Sequence, residues 1–351
     1  MRARLLLMSL LVPLVPLAGG VAVVSCGAGD FDPQSLIKSV RVFAARADKP
    51  YAAPGETVNL EVLAFDGRPD RRRPMKVTWL PFVCKNPPND AYYACFLQAA
   101  RAGDGGAEAG GGSDAGGGVF GGLRAGVDLT PFLPSSATTT FTMPADAITS
   151  HDPPKGTAEA YGLAILFNMA CAGHLELVDD PRAGPQTVPI GCFDENHTRL
   201  GPDDYVFGFT RVYAYGTRRN ANPEIVEATF EGKPINPQTG IKIDHCTTAA
   251  RADCPELKID VSVPESSWEI NPEDIDPDGV VRHEQIWAAY YSDMGLFESD
   301  ARLLYDPRAG RIDGSETKYQ APNDTGDGNI WILVHDNRGG VNWLQIPIHV
   351  R

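Results

Sequence analysis

Six cysteines fall into three close couples: Cys84 with Cys95, Cys171 with Cys192, and Cys246 with Cys254. Six thiols allow fifteen pairings, and the spacing favours bridges within each couple. Each bridge would close a short loop and contribute roughly 2–4 kcal/mol, mainly by restricting the unfolded chain. No Cys-x-x-Cys pair occurs, so a zinc–sulfur site is not expected. A second constellation is Asp274-Ile275-Asp276-Pro277-Asp278-Gly279. Alternate carboxylates before a glycine can wrap Ca2+ with hard oxygen ligands, here Asp274, Asp276 and Asp278, with Asp324 or Asp327 as further donors. Gln285 stands where an EF-hand needs its closing Glu, and Pro277 sits inside the loop. The same residue types make an Asp-Pro-Asp-Gly turn. No cofactor is expected, with Ca2+ the one candidate these residues offer.

The histidines suggest little. His283-Glu284-Gln285-Ile286-Trp287 opens like a zinc-protease helix, but Trp287 stands where the second His is required. Asp194-Glu195-Asn196-His197 gathers ligand types beside Cys192 and reads as a solvated turn, while His174 and Glu176 form an isolated pair. No Gly-x-Ser-x-Gly, Walker loop or dinucleotide fingerprint occurs. A glycosidase pair or a dispersed Ser/His/Asp triad is defined by separation in space, which sequence does not display. The expectation is a protein that is not an enzyme. A secreted hydrolase, or the carbohydrate-binding accessory part of one, is the alternative. Trp268, Tyr290, Tyr291 and Trp343 are the aromatics that could form a sugar platform, although aromatics in strands more often fill a core.

The chain start bears on compartment. Arg2 and Arg4 precede an apolar run from Leu5 to Val24, as in a signal peptide. Val23-Val24-Ser25-Cys26 resembles the lipobox of bacterial lipoproteins. In that family the cysteine thiol is acylated and becomes the new N-terminus. The resemblance implies removal of residues 1–25, a lipid such as palmitate on Cys26, and anchoring in the envelope, since several acyl chains hold stably. Gly27 in place of Asp resembles outer-membrane sorting, with the protein facing the periplasm or the surface. Without Arg2 and Arg4, 29 basic residues oppose 45 acidic ones, a formal charge of −16. That balance argues against nucleic acid and against anionic lipid surfaces.

These residues must be positioned by strands. Val58, Leu60, Val62 and Ala64 alternate with Thr57, Asn59, Glu61 and Leu63. Val40, Val42 and Ala44 alternate with Arg41, Phe43 and Ala45. A period of two puts one apolar face inward. Turn residues punctuate the segments about every ten positions, as in β-sandwiches. Tyr161–Met169 reads as a fully buried strand, and six further strands are expected between Ile225 and Val350. Residues 103–122 contain eleven glycines and read as a disordered surface loop. Residues 26–36 read as a tether.

An internal repeat organises the rest. Thr139-x-Phe141-x-Met143-Pro144 matches Thr317-x-Tyr319-x-Ala321-Pro322, a Trp strand precedes each (Trp79, Trp287), and an apolar strand follows each. This order, with Asp276-Pro277-Asp278-Gly279 and Asp336-Asn337-Arg338-Gly339-Gly340, resembles bacterial immunoglobulin-like and PKD-like domains. Residues 37–219 and 220–351 would then be two immunoglobulin-like β-sandwiches, each with its Trp in the core. The whole chain resembles two-domain lipoproteins of myxobacteria and their relatives, a likeness that brings no activity with it. The expected role is binding, adhesion or envelope organisation. The expected partners are the membrane, through the N-terminal lipid, and a protein or glycan.

Overall fold

Alternating apolar residues produce strands almost throughout. A computed structural model describes residues 33–96, 126–133, 135–153, 155, 159–178, 189–248 and 253–351. The leader, Cys26 and the segment 103–122 lie outside the described residues. Within them, helix is confined to short turns such as Pro88–Asp90, Thr130–Phe132 and Glu265–Ser267. The protein is all-β.

Four main sheets form among the described residues. Sheet 1 has the order Val40–Ala47, Thr57–Asp66, Thr138–Thr142. Sheet 2 runs Tyr51–Ala52, Tyr205–Ala214, Gly162–Cys171, Lys76–Trp79. Sheet 3 is built on Glu227–Phe230, Glu256–Ser262 and Thr317–Gln320. Sheet 4 begins Ile241–Ile243, Val341–Val350, Gly326–Asp336, Ile286–Ser292. The order therefore repeats. The three strands of sheet 1 correspond in chain order to the three named strands of sheet 3, and the four named strands of sheet 2 to those of sheet 4. In both copies a short strand pairs parallel with the end of the last long strand: Tyr51 with Tyr213, and Ile241 with Ile348. The Thr-aromatic repeat read in the sequence occupies equivalent strands, Thr138–Thr142 paired with Thr57–Asp66 and Thr317–Gln320 paired with Glu256–Ser262.

Residues Gln34–Arg351 form one compact unit, stacked in the order sheet 2, sheet 1, sheet 4, sheet 3. Val58, Leu60 and Val62 of sheet 1 pack on Ala164, Leu166 and Val212 of sheet 2. Phe43, Leu63 and Phe65, on the other face of sheet 1, pack on Trp331, Leu333 and Tyr291 of sheet 4. The opposite face of sheet 4, including Tyr290, Ile332 and Ile348, packs on Ile259, Val261 and Tyr319 of sheet 3. Sheets 1 and 4 are thus covered on both faces, and the outer face of sheet 2 (Leu163, Ile165, Phe167, Met169) packs on Leu80, Phe96, Leu129 and Leu133 of the connecting segments. This explains why Gly162–Cys171 is buried at every position, where a one-sided sheet would show alternation.

Two sequence expectations change. A register shift between Val42 and Ala44 marks a β-bulge. Phe43 and Ala44 therefore both face sheet 4, and Ala45 joins Val42 on the sheet 2 side; an extra residue in one strand reverses the alternation beyond it. Trp79 lies in the core at 5% exposure. Its counterpart Trp287 sits on the opposite face of its strand from Ile286 and Ala288, half-buried against the His335 ring. The three cysteine couples are disulfides, Cys84–Cys95, Cys171–Cys192 and Cys246–Cys254.

Candidate functional site

The Asp274–Gly279 sequence forms the end of a hairpin with its own two-stranded sheet, Ile270–Ile275 paired with Val281–His283. Asp276 Oδ1 accepts from the N–H groups of Asp278 and Val280, both at 3.1 Å, and Gly279 takes φ +78°. Oδ2 of Asp276 meets Arg308 Nη2 at 2.5 Å, and Arg282 lies 3.6 Å from Asp274 and 3.9 Å from Asp276. Burial would raise the Asp276 pKa, but the Val280 N–H and Arg308 outweigh it and hold the carboxyl below its usual range. The carboxylates read as calcium ligands thus face two guanidiniums, and Asp278 contributes a backbone N–H to the turn. On this hairpin Ile270, Ile275, Val280 and Val281 are 60, 58, 58 and 41% exposed.

A buried charge network holds the hairpin base. Glu269 and Glu284 flank the hairpin, and Glu284 N donates to Glu269 O at 2.8 Å. Arg338 Nη1 lies 2.6 Å from Glu284 and 3.6 Å from Glu269, and donates to Ile270 O at 3.2 Å. Its Nη2 donates to Arg219 O at 2.8 Å, and its guanidinium stands 4.9 Å from the Tyr51 ring centre. One side chain so ties the hairpin to the 218–223 connection and to sheet 2. Asp336 Oδ1 accepts from Arg338 N at 2.7 Å and Gly340 N at 2.8 Å, positioning that arginine. Gly340 permits the approach, because a Cβ there would run into Asp336 Oδ2.

Two carboxyls, Glu284 and Glu269, share the Arg338 guanidinium, and a third, Asp336, lies close by on backbone N–H groups. Burial, then the nearby Asp336 charge, push Glu284 up to about 8, against the pull of Arg338. Burial also raises Glu269 and Asp336. His335, next in chain, is pushed down to about 4 by burial. Glu284 and His283, which the sequence places in a protease-like string, are therefore a buried network member and a ring stacked on Trp268 with centroids 3.8 Å apart.

The aromatics proposed as a sugar platform are distributed otherwise. Tyr290 is fully buried. Tyr291 packs against Phe43 between sheets, and Trp343 lies under the Arg46 guanidinium at 4.1 Å.

Two isolated sequence fragments do meet. His174 Nε2 lies 2.5 Å, and His197 Nδ1 2.6 Å, from the same Glu176 Oε1. Glu176 is 3% exposed, His174 19% and His197 67% in their side chains. Among the described residues, these three His, Cys, Asp or Glu side chains place donor atoms within 4.8 Å of one another. Elsewhere His151 Nε2 contacts Asp90 Oδ1 at 2.8 Å while Nδ1 meets Tyr161 O at 2.8 Å, so both ring nitrogens are engaged.

No protein-family model matches the chain, and no curated protein matches it. Among solved structures, dimeric latent PorU from Porphyromonas gingivalis is similar over 89% of this chain and 24% of its own, at 12% identity and a TM-score of 0.20. The chain spans about a quarter of that structure's length, and so loose a superposition carries no argument.

Proposed function

We propose that the chain is a cell-envelope lipoprotein, anchored through Cys26, that presents two fused immunoglobulin-like sandwiches, 37–219 and 220–351, as a binding or structural module without catalysis. The duplicated strand order supports the fold part of this reading. Each copy reads as strands A, B and E on one sheet and C, F and G on the other, with the repeated Trp on C. The three disulfides fit an oxidising compartment. The observation that carries the role is the hairpin: apolar side chains held in solvent by a short, doubly anchored ribbon. Scattered apolar residues on a surface are ordinary, but a cluster on a braced element favours a contact surface. The occupant is a protein or glycan of the envelope, and the lipid supplies location.

Two measurements test it. A fatty-acid analogue should label the wild-type chain in cells and fail to label Cys26→Ala; labelling of that variant removes the lipoprotein reading. Envelope material captured by the purified chain should be lost with Ile275→Ser/Val280→Ser, whose exposed positions leave folding intact. Unchanged capture removes the hairpin from the role.

A further inference from the structure

We propose that His174, Glu176 and His197 form a binding site for a borderline transition-metal dication, Zn2+ in chemical class. Two imidazole nitrogens converge on one carboxylate oxygen at 2.5 and 2.6 Å, hydrogen-bonding distances that gather three metal-ligating side chains at one point. Two His and one Glu match the donor set of zinc sites that keep one position for water or an outside donor. Bonds of about 2.0–2.1 Å place tetrahedral ligand atoms roughly 3.3 Å apart. The three donors lie within 4.8 Å of one another, so small side-chain rotations suffice.

The backbone holds these donors in place. His174 and Glu176 sit two apart on His174–Leu177, so they share a face of one strand. Ile190–Phe193 pairs with that strand, and Cys192 is disulfide-bonded to Cys171 at the end of sheet 2. Gly173 lets the strands close, since a Cβ there would run into Phe193 O. His197 reaches back from a turn in which Asp194 Oδ1 caps the N–H groups of Asn196 and Thr198, both at 2.9 Å. His197 itself takes φ +59°. Positive φ is uncommon for residues other than Gly, and His is among the types that adopt it more often. The conformation aims Nδ1 at Glu176.

A carboxylate oxygen only accepts, so without metal both facing nitrogens carry their protons. On metal binding the facing nitrogen of each ring gives up that proton, to its other nitrogen or to solvent. A buried Glu176 then neutralises part of the ion's charge.

The test uses the full chain, purified in detergent and stripped with EDTA, then titrated calorimetrically with Zn2+ and spectroscopically with Co2+. Wild type should bind one Zn2+ saturably and give a Co2+ spectrum of tetrahedral intensity. His197→Gly suits the positive φ and removes a donor from an exposed turn, so it folds; it should weaken binding at least about 100-fold. Glu176→Gln should do the same, with its circular dichroism melt recorded as a check on folding. His349→Ala, altering the exposed His349–Asp327 pair, should leave binding unchanged. Absence of saturable binding in wild type, or wild-type affinity in His197→Gly, overturns the site. Neither result bears on the hairpin or the lipid anchor.

Discussion

Glu284 shows how one side chain can set a pH dependence. Its carboxyl titrates at about 8 in the folded chain, against an ordinary value of 4.5. Between those values the native state holds a proton that the unfolded chain has lost. Raising pH therefore favours unfolding, and the stability present below about 4.5 is lost as pH rises through 8. His335 acts in the opposite sense. Its pKa near 4 lies below the free value of 6.5, so its contribution is present above 6.5 and lost as pH falls through 4. The two slopes oppose each other in mild acid, and above pH 6.5 the Glu284 slope is no longer opposed by His335. The expected result is that the wild-type melting temperature falls from pH 6.5 to 8.5, while Glu284→Gln, which keeps an acceptor for Arg338, holds steady. Parallel curves for the two proteins would refute the assignment. The sequence lists Glu284 and Arg338 fifty-four positions apart, and only the neighbouring strands Ile286–Ser292 and Gly326–Asp336 bring them together.

At the scale of elements, disulfides were legible from spacing because short loops close readily, whereas the metal candidate was not. His197 belongs to a string that reads as a solvated turn and His174 with Glu176 reads as an isolated pair, and nothing local joins them. The joining agent is the pairing of His174–Leu177 with Ile190–Phe193, reinforced by Cys171–Cys192. That bridge closes a separation of 21 residues, which corresponds to about 3 kcal/mol of unfolded-chain restriction. Cys171→Ser/Cys192→Ser should lower unfolding free energy by about that amount in urea titration, and hydrogen exchange should rise first at Leu175 and Leu177. Equal protection in both proteins would mean that packing alone holds the ribbon. The bulge at Phe43 is a further case of local pattern failing. Period-two reading assumes a continuous pleat, and one extra residue turns the remaining side chains over.

For the molecule as a whole, the layer between sheets 1 and 4 decides whether the chain behaves as one body. Trp331 is 1% exposed there, with Phe65 and Phe43 ring centroids 4.6 and 4.8 Å away. Arg46 adds a hydrogen bond to Asn342 at 2.6 Å across the same boundary. Removing a buried Trp costs roughly 3–5 kcal/mol. Wild type should therefore unfold in one calorimetric transition, and Trp331→Ala should separate it into two, the steps belonging to sheets 1 and 2 and to sheets 3 and 4. A single transition merely shifted to lower temperature would mean that the Arg338 network, not this layer, couples the halves.

The amino-acid order alone determined the strand content, the disulfide pairs and the internal repeat. These follow from side-chain alternation, loop closure and turn residues, all properties of nearby positions. Tertiary structure decided which face of each strand is doubly covered, which carboxyl keeps its proton, and which histidines converge. Those outcomes depend on distances between segments far apart in the chain, and a linear pattern does not specify them.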